Sequence, residues 1–327
     1  MNLSLTKSAL SAVSDVTGYK ALVCVFLAGG NDSFNMLAPY EPAEYDDYAA
    51  VRANLALARQ DLLPIRDANG RRFGLHPSMR EVRDLYSAGR LAFLANVGSL
   101  IAPTDVDAAR AEQNLPLGLF SHADAQRHWQ TAVPQSRTQI TGWAGRMADA
   151  LTDSANRNPT ISMNLALNEL NLLQTGDDVV PFVIGADGAS ELAGYGRASV
   201  QQRILTRATD SLLEQTYTDL LQRTHARIRR GSIDGAIAFN AATRAVELST
   251  AFPNTRLGGQ LAMVARSIGA RRDLDQSRQI FFVKRGGWDH HDFVLFNQAN
   301  LLTELSSALG AFYDATSELG VAGDVTV

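Results

Sequence analysis

The chain is 327 residues long, 46% hydrophobic and 20% charged, with a formal net charge of -4. That length can bury a large core, as one big α/β domain or two smaller ones. The charge excludes an electrostatic case for nucleic acid, no apolar run is long enough to span a bilayer, and the single cysteine, Cys24, excludes an internal disulfide.

Residues 1–18 show no charged start followed by an apolar stretch, so no signal peptide is visible and they read as an N-terminal extension. Tyr19 to Ala28 is a continuous apolar run, the pattern of a parallel strand buried on both faces. Residues 31–74 are polar and turn-rich, with Pro39, Pro42, Pro64 and an Asp67-Ala68-Asn69-Gly70 turn. A helix is predicted from Pro77 to Gly89 and a second strand over Leu91 to Gly98. Strand, helix, strand in this order implies a right-handed parallel crossover. Residues 99–119 read as loop, and Ser121 then takes the N-cap position of a helix over His122 to Gln130.

Further on, Trp143 to Leu151 reads as a short helix, and Thr160 to Leu165 and Val179 to Ile184 as short strands. Residues 197–250 are helical and amphipathic, giving a helical insertion over about 190–255. A helix over Gln260 to Ile268 leads into a strand, Gln279 to Lys284, and a long helix covers Phe293 to Leu319. Asp324 to Val327 opens another buried strand, which predicts that the domain runs on past Val327.

Two of these strands end alike. Phe26-Leu27-Ala28-Gly29-Gly30-Asn31-Asp32-Ser33 is echoed by Val283-Lys284-Arg285-Gly286-Gly287-Trp288-Asp289-His290-His291-Asp292. In an open α/β sheet ligands bind beyond the carboxyl ends of the strands, so both segments can deliver metal ligands to one edge. Asp32 can ligate a hard cation and Asn31 can add an amide oxygen; ordinary turn chemistry explains the same residues. Asp289 and His291, at i and i+2 of an extended segment, point the same way and can share one ion, whereas His290 and Asp292 face elsewhere. Carboxylate with imidazole suits zinc, manganese or iron better than magnesium or calcium.

Ser121 is a plain cap or a nucleophile on the positive end of a helix, where free N–H groups stabilise an anionic phosphate or sulfate. His76, His128, Trp129 and His225 read as structural or solvated. There is no Gly-x-Ser-x-Gly elbow and no Gly-x-Gly-x-x-Gly or Walker pattern after a strand.

Several segments together resemble a known family. They are Phe26 to Leu37, Leu75-His76-Pro77-Ser78-Met79, Asn96-Val97-Gly98, Leu119 to Gln126, Gly142 to Asp149 and Gly286-Gly287-Trp288-Asp289. In this order, from about Tyr19 to the last residue, they resemble a bacterial family known as domain of unknown function 1501. That family is similar in fold to the alkaline phosphatase and sulfatase superfamily. The resemblance implies one α/β domain over 19–327, a mostly parallel sheet sandwiched between helices, with a two-metal site that hydrolyses phosphate or sulfate esters.

By the same resemblance Asp32 matches the first-strand metal ligand, Asp289 and His291 match the late acid and histidine, and Ser121 falls at the nucleophile. His290 receives no ligand role. The implied partners are divalent metal ions and a small anionic ester, and the implied location is the periplasm, since members often carry a twin-arginine export signal. Members continue with a further strand and an Asp-His-Gly motif, so the resemblance implies that this chain holds one incomplete metal site. The rival expectation is a non-catalytic exported binding or assembly protein that keeps the fold. A third is a structural partner that associates through an exposed apolar stripe on 197–250.

Overall fold

The computed structural model describes residues 18–327. Residues 1–17 of the expected N-terminal extension lie outside the described residues. Among the described residues a five-stranded sheet is surrounded by ten α-helices and flanked by a second, three-stranded sheet. The large sheet runs β6 (Phe182–Ile184), β5 (Asn164–Leu167), β7 (Arg278–Arg285), β1 (Lys20–Leu27), β8 (Val325–Thr326), and every pairing in it is parallel.

Apolar runs take these central places because a parallel strand must bury both faces. In β7, Phe281 and Val283 join the main core with Trp288, while Ile280 and Phe282 turn to a second cluster on the other face. Helices α9 (Arg256–Gly269) and α10 (Val294–Glu318) supply much of the main core, through residues such as Leu261, Val264, Leu305 and Phe312. Helix α6 (Trp143–Ala155) covers the opposite face with Ala144 and Ala148, against Leu22, Cys24 and Phe26 of β1. The sheet therefore has helices on both faces, as expected.

The turn-rich stretch 31–74 is more ordered than its composition predicts. It holds a single-turn helix, α1 (Ser33–Met36), the helix α2 (Pro42–Arg52), and an antiparallel sheet of order β2 (Leu37–Pro39), β4 (Arg72–Leu75), β3 (Leu63–Arg66). Pro42 opens α2 rather than breaking a loop, the position where a missing N–H costs nothing. Pro39 and Pro64 sit in the two outer strands, where proline is tolerated.

The expected strand over Leu91 to Gly98 does not form, and the expected crossover goes with it. β1 is already paired along its length by β7, and β8 takes its other side at Ala21 and Leu22. Leu91 and Phe93 instead pack on the main core beside α3 (Arg80–Ser87), while Leu94 and Val97 are exposed. Beyond a short helix, α4 (Val106–Arg110), the chain reaches α5 (His122–Thr131). The amphipathic segment forms α7 (Val200–Leu213) and α8 (Leu220–Arg244), which leave Ile204, Leu212, Leu221 and Ile228 exposed.

Candidate metal-binding rim

β1 and β7 pair with Leu27 opposite Arg285, so the two glycine turns leave the sheet side by side and at one level. They touch: the N–H of Trp288 donates to the carbonyl of Ala28 at 3.4 Å. Gly29 has φ +126, and a Cβ placed there would lie 2.8 Å from the backbone nitrogen of Asp289. Both facts require glycine at this point. Trp288 is fully buried in the main core, which turns the next residue, Asp289, out to the rim.

At the rim three side chains meet. Nε2 of His291 lies 2.9 Å from Oδ2 of Asp289, so residues i and i+2 do share a face. Nε2 of His122, the first residue of α5, lies 3.4 Å from the same oxygen. The His122 ring also lies against Gly30, 3.3 Å from where a Cβ would stand. All three side chains are open to solvent. Ser121 directly precedes His122, so the loops after β1 and β7 and the start of α5 come together.

A family model described as protein of unknown function (DUF1501) matches residues 19–327. The chain belongs to that family. No curated protein and no solved structure matches it.

The other acid of the DUF1501 chain is placed differently. The carboxylate of Asp32 forms a largely buried ion pair with Arg52, the last residue of α2. Its backbone carbonyl accepts from Nε2 of Gln298, at 2.7 Å, a buried side chain on α10. The same Nε2 reaches Oδ1 of Asn31, at 3.4 Å, so Asn31 is used in bracing the turn. Asp32 thus stands beside the rim with its charge already neutralised.

Ser121 caps α5: its hydroxyl accepts from the Asp124 N–H at 3.3 Å. Asp124 is gripped by Arg137 through two hydrogen bonds of 2.9 and 3.0 Å. That pairing holds its carboxyl below the ordinary range, so Asp124 is a poor base for the serine. His76 is a turn residue whose Nδ1 accepts from the Ser78 N–H; burial pushes its pKa down to about 4, so it stays neutral. His290 packs against Trp288, with its Nε2 unpartnered among the described residues. His225 lies on α8.

Among the described residues no group of three or more metal-ligating side chains is drawn together as a cage. The donor types at the rim, one carboxylate and two imidazoles, are ones a borderline cation takes, and both imidazoles here face a single oxygen of Asp289. Asp32 fits such a role only when Arg52 releases it.

Sequence reasoning missed His122 and Arg52. His122 stands next to the serine that was singled out, and its ring type was the available signal. Nothing local marks Arg52, which reaches Asp32 only because α2 folds back.

Proposed function

We propose that the protein is a metal-dependent hydrolase of phosphate or sulfate esters, built on an alkaline-phosphatase-like version of this sheet. What supports the reading is the meeting of Asp289, His291 and His122 next to the helix start that bears Ser121. Asp289, His291 and His122 would hold one ion, zinc or manganese. Asp32 would join the metal site as the first-strand ligand on parting from Arg52. A bound ion would supply Lewis-acid stabilisation of the ester oxygens and lower the pKa of the serine hydroxyl.

The chain's own groups do the rest. Ser121 would attack the phosphorus or sulfur of the ester through its hydroxyl oxygen. The bond to the alcohol would break on the far side, and the serine proton would leave with the alcohol. A water would then displace the serine and release phosphate or sulfate. The N–H groups of the first turn of α5 and its positive end bind the anionic oxygens. The exposed rim lets a small ester approach from solvent.

The ion pair at Asp32 favours a second reading, a non-catalytic binding protein that keeps the fold. One experiment separates them. The protein is loaded with zinc or manganese, its bound metal is counted, and aryl phosphates and aryl sulfates are assayed. The hydrolase reading expects bound metal and turnover, both falling by about tenfold or more in Asp289→Ala, at least the penalty of losing an outer-shell partner. A folded protein that takes up no metal, or turnover unchanged in Asp289→Ala, leaves the binding reading standing.

A further inference from the structure

The described residues hold all thirteen phenylalanines of the chain, and the four that are exposed all flank the rim. Phe34, Phe120, Phe293 and Phe296 are between 69% and 95% exposed. Phe34 comes two residues after Asp32, Phe120 two before His122, and Phe293 two after His291. Two residues of extended chain span at most about 7 Å, so each of these three is held that close to a residue at or beside the rim. Phe296 lies in the first turn of α10, two residues before Gln298, whose amide donates to the carbonyl of Asp32. The rim contacts themselves join the three segments: His122 and His291 both reach Oδ2 of Asp289, and the His122 ring lies against Gly30.

Phenylalanine contributes most when buried, so a group of exposed rings in one place marks a binding surface. Backbone convenience does not explain Phe293. It has φ +53, a left-handed conformation that bulky residues rarely take and that asparagine adopts more readily. The occupant has to suit both parts of this surface, a polar centre and an apolar border. A second copy of the chain or the hydrocarbon of a bilayer would cover the rings but would also bury the Asp289 carboxylate and the two imidazoles without partners. A molecule with an anionic head and an apolar tail meets both demands. Its head suits the imidazoles, any ion they hold and the N–H groups of the first turn of α5; its tail suits the phenyl rings.

We propose that the rim takes amphiphilic monoesters of phosphate or sulfate, with the alkyl chain of the alcohol lying on the exposed phenylalanines. The anionic head rests on the hydrolase reading above; the apolar alcohol is what the rings add. The test is calorimetric titration of the full chain, in zinc-containing buffer, with octyl and methyl phosphate and with the matching sulfates, alongside an assay of released phosphate or sulfate. The octyl esters are kept below their micelle concentration, so that single molecules are read. Wild type is expected to bind an octyl ester at least about tenfold tighter than its methyl partner, the worth of burying about two methylene groups. The double variant Phe120→Ser/Phe293→Asn loses that preference and keeps its affinity for the methyl ester. A series from butyl to octyl on wild type reads the tail without any variant, affinity rising with each added carbon. Equal affinity for octyl and methyl esters overturns the proposal, as does a preference unchanged in the double variant, or no octyl ester bound at all. Turnover that ignores chain length strikes this inference and leaves the hydrolase reading in place. A preference that needs the phenylalanines, with no ester cleaved, supports this inference and removes the hydrolase reading. Light scattering that shows a dimer in wild type and a monomer in the double variant assigns the rings to a second copy and overturns it. Sedimentation of wild type with plain phosphatidylcholine vesicles, lost in the double variant, assigns them to a lipid surface and overturns it too.

Discussion

After β1 the chain runs Gly29-Gly30-Asn31-Asp32, and after β7 it runs Gly286-Gly287-Trp288-Asp289. These turns leave neighbouring parallel strands at the same level, and their backbones touch. The first acid is tucked under α2 and neutralised by Arg52; the second is solvent-facing and shares its oxygen with two imidazoles. What separates them is the residue each turn uses as its anchor. The first turn is pinned by polar contacts to its own backbone and side chains, from Gln298 and Arg52. The second is pinned one residue before the acid by a tryptophan in the core, which leaves Asp289 free of structural duty. A like pattern of residue types at two strand ends therefore yields one structural acid and one available acid.

The largest effect expected from breaking this contrast is at Trp288. Its indole N–H has no partner among the described residues, so packing alone keeps it buried. Trp288→Ala is expected to cost about 4 kcal/mol in a denaturant titration, the usual loss for emptying a large core site. With the anchor gone, metal uptake at the rim is expected to fall as well. A loss under about 1 kcal/mol, the scale of a surface change, would show that the turn is held by something else.

The next effect separates the two acids directly. Arg52→Gln leaves the mostly buried Asp32 carboxylate without its counter-charge, and the metal-free variant is expected to lose about 2 kcal/mol. If Asp32 can join a metal site once Arg52 withdraws, zinc or manganese raises the melting temperature of Arg52→Gln more than that of wild type. An equal shift in both proteins would mark Asp32 as a purely structural counter-ion and would sharpen the contrast with Asp289.

How far this was legible in the sequence depends on whether the signal was local. β1, β7 and the long helix α10 were plain because continuous apolar runs and helical periodicity are local properties. The alternation Asp289/His291 against His290 followed from strand geometry alone. Leu91 to Gly98 shows the limit: it has strand composition, yet Leu91 and Phe93 are spent on the core beside α3 and no pairing forms, although β8 holds only Ala21 and Leu22 on that side of β1. The helix α2 was hidden because Pro42 was read as a turn signal although the position suits a helix start. With α2 hidden, Arg52 was hidden too, and so was the reason that Asp32 differs from Asp289.

The smallest effect expected is at Ser121, and it decides whether that serine does more than end a helix. Ser121→Ala removes the hydroxyl that accepts from the Asp124 N–H and is expected to cost about 1 kcal/mol. Ser121→Asn keeps a capping oxygen of equal rank, so its stability is expected to match wild type. The two variants thus differ in stability but both lack the hydroxyl. If Ser121 is the nucleophile beside the Asp289 rim, both lose ester turnover in the metal-loaded protein. Full turnover in Ser121→Asn with a deficit only in Ser121→Ala would reduce the residue to a cap, because activity would then follow the helix end and not the hydroxyl.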